Sequence, residues 1–235
     1  MRRRSILSFG LLATINPMKS FKIFLNEMAP PQQKQINCDI NGICNRLMQD
    51  ESAGNEEKIL SVYKDSKGLD TLGHGHLVGP NSEKVLGQVI KDPNRVKGIL
   101  SGKGKLTQGE ATGLLKIDVE SRLPQLVKMV PKFETYTPDL QINLASEHFR
   151  GMLGKSPNAV KKLNAGDYGG FATEYVDAKD YRESKKTGTG IYKRMDRLVN
   201  SAKTEVERQK KRQQSSQSTT QAPLNNSTSQ TAPSR

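Results

Sequence analysis

The stretch from Tyr63 to Leu77, YKDSKGLDTLGHGHL, constrains this chain more than any other, because it crowds an acid, a hydroxyl and two glycine-flanked histidines into the span of one hairpin. Val62, Tyr63 and Lys64 continue a β-prone run begun at Ile59. Ser66, Lys67 and Gly68 supply a turn in which Gly68 is free to take a positive φ, and Thr71, Leu72 and Gly73 start the return strand. Asp65 and Thr71 are therefore expected to come close across the hairpin mouth. Taken singly, an Asp before a turn is usually a turn former and a Thr opening a strand is usually just β-prone. The ordered set carries more information than its members. His74 and His76, two apart in a strand, would point the same way, yet no further His or Cys cluster completes a tetrahedral set, so no metal site is expected.

The succession of tyrosine, aspartate, turn, threonine and glycine-flanked histidine resembles the signature of the phage-type lysozymes, the T-even family of muramidases. The resemblance covers about residues 37–202, with the hairpin as its specific part. It implies an α+β, mostly helical, lysozyme-like fold in which a small lobe with a β-hairpin is joined by a long helix to a larger helical lobe. It further implies hydrolysis, with inversion, of the β-1,4 bond between N-acetylmuramic acid and N-acetylglucosamine, and no cofactor. Such cleavage takes two carboxyl groups, one protonated toward the leaving oxygen and one ionised on the opposite side of the sugar. By resemblance Asp65, with Thr71, would hold and activate water. His76 would form a structural ion pair with Asp118 on the long helix, Leu77 and Phe149 would line the cleft and bind sugar, and Lys193 and Arg194 resemble basic residues that fold back toward the catalytic acid.

The acid itself has two candidates. The family places a glutamate at the end of the helix before the hairpin, and here Glu51 and Glu56 both qualify. Linear spacing favours Glu56, nine positions before Asp65, although Glu57 follows it where the family has glycine. Helical phase favours Glu51. At about 100° per residue, Ile40, Ile43, Cys44, Leu47 and Glu51 share one face, and a general acid needs partial burial to raise its pKa. Gly54 would end the helix, leaving AGNEE as a loop insertion.

Beyond the hairpin the pattern is helical. Thr107 and Glu110 form a capping box opening a helix through Leu123, which Pro124 is expected to kink or end. Further helices are expected from Thr137 with Pro138 at its first position, burying His148 as a packed neutral side chain with Phe149, then after Ser156, over Gly170 to Asp180, and from Gly190. Cys38 and Cys44 imply no disulfide framework, and Cys44 reads as a small buried hydrophobe.

The net charge of +13 sits mainly at the ends. Residues 1–35 carry six basic and one acidic residue and residues 203–235 six and two, leaving residues 36–202 with 25 and 21. That distribution, with little aromatic interleaving, argues against a nucleic-acid binder. Residues 1–35 read as a leader or signal-like segment and linker. Met1 to Pro17 has the outline of a secretory signal or weak anchor, Met18 is a second plausible start, and Leu25, Asn26 and Glu27 match a loose maturation-protease site of T-even-like phages. Residues 36–205 are expected to form the domain, and residues 206–235, rich in Gln, Ser and Thr, a disordered basic tail, the loss of packing beginning near Ser201. The expected partner is bacterial peptidoglycan, with other virion proteins as further candidates, for a monomeric catalytic domain in a phage virion or released from the host cytoplasm to the wall. The alternative is a catalytically inactive virion module of the same fold.

Overall fold

The computed structural model describes residues 35–51, 56–65 and 67–219, the side chains of Glu51 and residues 216–219 excepted. The leader with its signal, second-start and protease-site readings therefore lies outside the described residues, as do Gly54 and the chain after Thr219. Among the described residues the fold is mostly helical with one small antiparallel sheet. No helix among them is long and apolar enough to cross a membrane.

Helix α1 spans Ile40–Glu51 and buries Ile43, Cys44 and Leu47 at helical spacing. Three short strands follow, β1 (Tyr63–Lys64), β2 (Asp70–Leu72) and β3 (His76–Leu77), in the order β1, β2, β3. Tyr63 pairs with Thr71 and Lys64 with Asp70; Thr71 pairs with Leu77 and Leu72 with His76. The expected hairpin is thus the first half of a three-stranded meander. Gly73, His74 and Gly75 form the second turn, so His74 does not share a strand face with His76. Gly73 and Gly75 have φ of 60° and 99°, a region closed to most side chains.

Helices α2 (Ser82–Val89) and α3 (Pro93–Leu100) cover the buried side of the sheet, and α4 (Gln108–Met129) follows. The Thr107 hydroxyl accepts from the Glu110 amide while the Glu110 carboxylate accepts from the Thr107 amide, closing the capping box. Of the kink or end expected at Pro124, the end is not found, because α4 continues through it to Met129. It lies on the exposed face of the helix, while Leu123 and Leu126 hold the buried face in register.

The remaining helices are α5 (Pro138–Phe149), α6 (Pro157–Asn164), α7 (Tyr168–Val176), α8 (Lys179–Thr187) and α9 (Ile191–Thr219). The single helix expected over Gly170 to Asp180 is instead the end of α7 and the start of α8. Between them the Arg182 guanidinium holds both the carbonyl and the carboxylate of Asp177. The tail expectation also fails over residues 201–219, which continue α9. Ala202 is fully buried, and Glu205, 0% exposed, accepts from the Thr137 amide at 3.3 Å and from Arg208. Arg208 also donates to the Thr135 carbonyl, and Gln209 to the Tyr168 hydroxyl. Polar anchoring, invisible to a count of apolar residues, docks this stretch.

Buried apolar side chains form two separate cores. The smaller contains Leu72, Leu86, Ile90, Val96, Ile99, Leu106, Ala111 and Leu114. The larger gathers α1 and α5 to α9 around residues such as Ile43, Leu47, Phe133, Leu144 and Phe171. Helix α4 belongs to both, giving Ala111 and Leu114 to one and Leu115, Val119, Leu123 and Leu126 to the other.

Candidate functional site

The first turn of the sheet is organised by the Asp65 carboxylate. Its Oδ1 accepts from the Lys67 amide at 2.8 Å and the Leu69 amide at 2.9 Å, while Gly68 takes φ 77°. The Leu69 amide bond, supported by the Lys67 amide and the Lys67 charge, holds the Asp65 carboxyl below its ordinary range. Asp65 is therefore an ionised acceptor. The register sets Tyr63, not Asp65, directly opposite Thr71, and Asp65 faces Leu69 through its own amide. Side-chain alternation nevertheless puts Tyr63, Asp65, Thr71 and Leu77 on one face of the sheet. Thr71 is buried and its hydroxyl donates to the Leu69 carbonyl at 3.2 Å, whereas Leu77 is exposed.

The opposite face carries Leu72 and His76 into the interior. His76 Nδ1 lies 2.9 Å from Asp118 Oδ2 on α4, and its Nε2 lies 3.0 Å from the Ser82 hydroxyl. A serine, histidine and aspartate in that order have the outline of an acyl-transfer triad. Here Ser82 is 3% exposed and its oxygen already accepts from the Gly79 amide, so no substrate reaches it. The cluster ties the sheet to α2 and α4. Sequence reasoning missed Ser82, whose only signal was its place at the start of a helix.

At the other end of the site, α1 terminates at Glu51, whose side chain lies outside the described residues. The preceding Asp50 is held from two sides. Arg197 Nη2 contacts both carboxylate oxygens at 2.5 and 2.7 Å, and Arg194 donates to the Asp50 carbonyl at 2.5 Å. Arg194 thus reaches back to the end of α1. Lys193 does not; it is exposed and lies over the Tyr192 ring. Asp50 and Arg197 were not foreseen. Glu56 lies outside α1 in an exposed turn and lines an open groove of about 810 Å³ with Glu57, Lys58, Ser61, Val62, Tyr63 and Lys105, a set that includes neither Asp65 nor Thr71.

Helix α5 joins these parts. The Ser146 hydroxyl is 3.5 Å from Asp50 Oδ2, and one turn later the Phe149 ring lies 3.5 Å from where a Cβ on Gly75 would stand. Residues three apart on a helix are neighbours, so one stripe of α5 touches both the end of α1 and the second turn of the sheet. Arg122 of α4 fixes Phe149, its guanidinium 4.1 Å from the ring centroid and donating to the Phe149 carbonyl. Burial pushes the neighbouring His148 imidazole down, which keeps it neutral. Among the described residues no group of three or more His, Cys, Asp and Glu could hold a metal ion. Cys38 and Cys44 are free thiols, both pushed up to about 11 by burial. No protein-family model matches this chain, and no curated protein matches it significantly.

Proposed function

We propose that this protein is a phage-type lysozyme, a muramidase that hydrolyses the β-1,4 bond between N-acetylmuramic acid and N-acetylglucosamine of bacterial peptidoglycan. The observation that carries this reading is the stripe of α5 on which Ser146 meets Asp50 and Phe149 meets Gly75, because it brings the glutamate-bearing end of α1 beside the sheet that presents Asp65 and Thr71. The two cores bridged by α4 suit a lysozyme-like small and large lobe with a cleft between them.

In this mechanism Glu51 gives its proton to the leaving glycosidic oxygen. Asp65, kept ionised by the Leu69 and Lys67 amides, accepts a proton from water as that water attacks the anomeric carbon from the opposite side, and Thr71 helps hold the water. Inversion needs room for the water, so this mechanism requires roughly 6.5 to 9.5 Å between the two carboxyl groups. Glu51 is preferred to Glu56 because its neighbour Asp50 is clamped by Arg194 and Arg197, whereas Glu56 opens onto the separate groove beside β1. Leu77 and Phe149 contact sugar, and the chemistry requires no cofactor. The biological role is lysis or penetration of the bacterial wall by a phage, from the virion or after release from the host cytoplasm.

The test is muramidase turnover by Glu51→Gln, Glu56→Gln, Asp65→Asn and Thr71→Ala variants shown by thermal unfolding to be folded. General acid catalysis contributes about 10²- to 10⁴-fold, so Glu51→Gln is expected to lose at least that much and Glu56→Gln little. The reverse order assigns the acid to Glu56. A wild-type protein without turnover on peptidoglycan sinks the enzymatic reading and leaves a wall-binding or virion structural module.

A further inference from the structure

Asp118 and Arg122 stand one turn apart on α4, so their side chains leave the helix from the same face. Asp118 grips His76 at the start of β3, where His76 Nδ1 lies 2.9 Å from Asp118 Oδ2. Arg122 grips Phe149, the last residue of α5, with its guanidinium 4.1 Å from the ring centroid and donating to the carbonyl. Gly75 immediately precedes His76, and a Cβ built on it would lie 3.5 Å from the Phe149 ring. One stripe of α4 therefore holds both sides of the contact between the second turn of the sheet and α5.

The hold on Phe149 acts at two points. The last carbonyls of an α-helix lack helical donors. After α5 the amides of Arg150, Met152 and Gly151 return to the carbonyls of Ser146, Glu147 and His148, and Arg122 serves that of Phe149. Its charge meets the negative end of the helix dipole there, and it also lies over the ring face, whose quadrupole attracts a cation. One planar group thus fixes both the main chain and the ring, so α4 sets where the ring rests against Gly75. Three residues earlier on the same stripe of α5, Ser146 meets Asp50, the neighbour of Glu51. A shift of Phe149 is therefore felt at both ends of the site.

Resting on the muramidase reading above, we infer that Arg122 is a positioning residue of the hydrolytic site: acting through the Phe149 ring, it sets the spacing between the sheet that carries Asp65 and Thr71 and the helix end that carries Glu51. The inference is tested by steady-state turnover on peptidoglycan of the full-length wild type, Arg122→Met, Arg122→Lys, Phe149→Leu and the double variant Arg122→Met/Phe149→Leu, each shown by thermal unfolding to be folded. Displacing a catalytic group by about 1 Å can cost about 10²-fold. Arg122→Met should therefore lower kcat by about ten- to hundredfold with KM within about threefold, the pattern of an interaction lost in the transition state. Arg122→Lys keeps the charge but not the planar group that serves ring and carbonyl together, and should lose about three- to tenfold in kcat. In the Phe149→Leu background, Arg122→Met should change kcat by less than about twofold, because the ring through which it acts is gone. A kcat within about twofold of wild type in both single Arg122 variants overturns the inference, as does an equal loss from Arg122→Met in both backgrounds, and each leaves the muramidase reading intact. Should Arg122→Met not fold, the kcat of Arg122→Lys decides in the same sense. A wild type without turnover removes the muramidase reading, and the inference with it.

Discussion

Arg197 grips Asp50 across 147 residues of sequence, its Nη2 lying 2.5 Å from one carboxylate oxygen and 2.7 Å from the other. The Asp50 side chain is only 9% exposed, and Arg197 supplies a counter-charge beside it. Removing one member of such a pair leaves an uncompensated charge. Arg197→Met should therefore lower stability by about 1–3 kcal/mol. It should also lower turnover beyond what stability explains, because displacing a catalytic group by about 1 Å can cost 10²-fold. Arg197→Lys restores charge without the planar fork and should recover only part of the activity. Equal turnover in Arg197→Met and wild type would show that the clamp does not position Glu51.

The acid limb of activity should report Asp65. As the base it must be ionised, and the Leu69 and Lys67 amides with the Lys67 charge hold its carboxyl below the ordinary 3.8. Activity governed by this group is present above that lowered pKa and falls only as pH drops through it. Lys67→Glu removes the favourable charge, keeps the amides, and should move the acid limb of kcat/KM upward. A downward shift would show that another group sets that limb.

Glu110 makes stability depend on pH at the start of α4. The Arg95 guanidinium first, and then the Thr107 amide and hydroxyl, hold its carboxyl down to about 2 from an ordinary 4.5. Because the folded pKa is the lower one, the stabilisation is complete above about 4.5 and is lost as pH falls through about 2. Thermal unfolding of wild type and Glu110→Gln should differ by a constant amount above pH 5, with the gap closing toward pH 2. Thr107→Ala should cost about 1 kcal/mol through the lost cap.

The C-terminal boundary is tested by two truncations. Ending the chain at Thr219 removes none of the contacts of Glu205, Arg208 or Gln209 and should leave the unfolding midpoint unchanged. Ending it at Glu205 strips Arg208 from a fully buried carboxylate and should cost about 3–5 kcal/mol. If the shorter protein unfolds at the wild-type temperature, α9 beyond Glu205 adds nothing to the fold.

What could be read from the chain was whatever depends on neighbours in sequence. The turn at Gly68, the capping box of Thr107 and Glu110, the apolar face of α1 and the helix opened by Pro138 all follow from local chemistry. The ordered hairpin residues carried the resemblance. Pro124 misled on where α4 ends because the cost of a proline depends on how its helix is packed, which sequence does not record. The tail misled because Glu205, Arg208 and Gln209 dock through hydrogen bonds to Thr137, Thr135 and Tyr168, none of them near in sequence.

The site divides along the same line. Asp65 and Thr71 are six residues apart, and one turn sets them on a common face. His76 and Asp118, Asp50 and Arg197, and Gly75 and Phe149 meet only because α4, α5 and α9 pack against α1 and the sheet. Local sequence sets which side chains a turn or helix presents, since backbone hydrogen bonds and periodicity act over a few residues. That Asp50 at the end of α1 meets a pair of arginines from α9 is decided by burial of apolar surface over the whole chain, and only the tertiary structure carries that outcome.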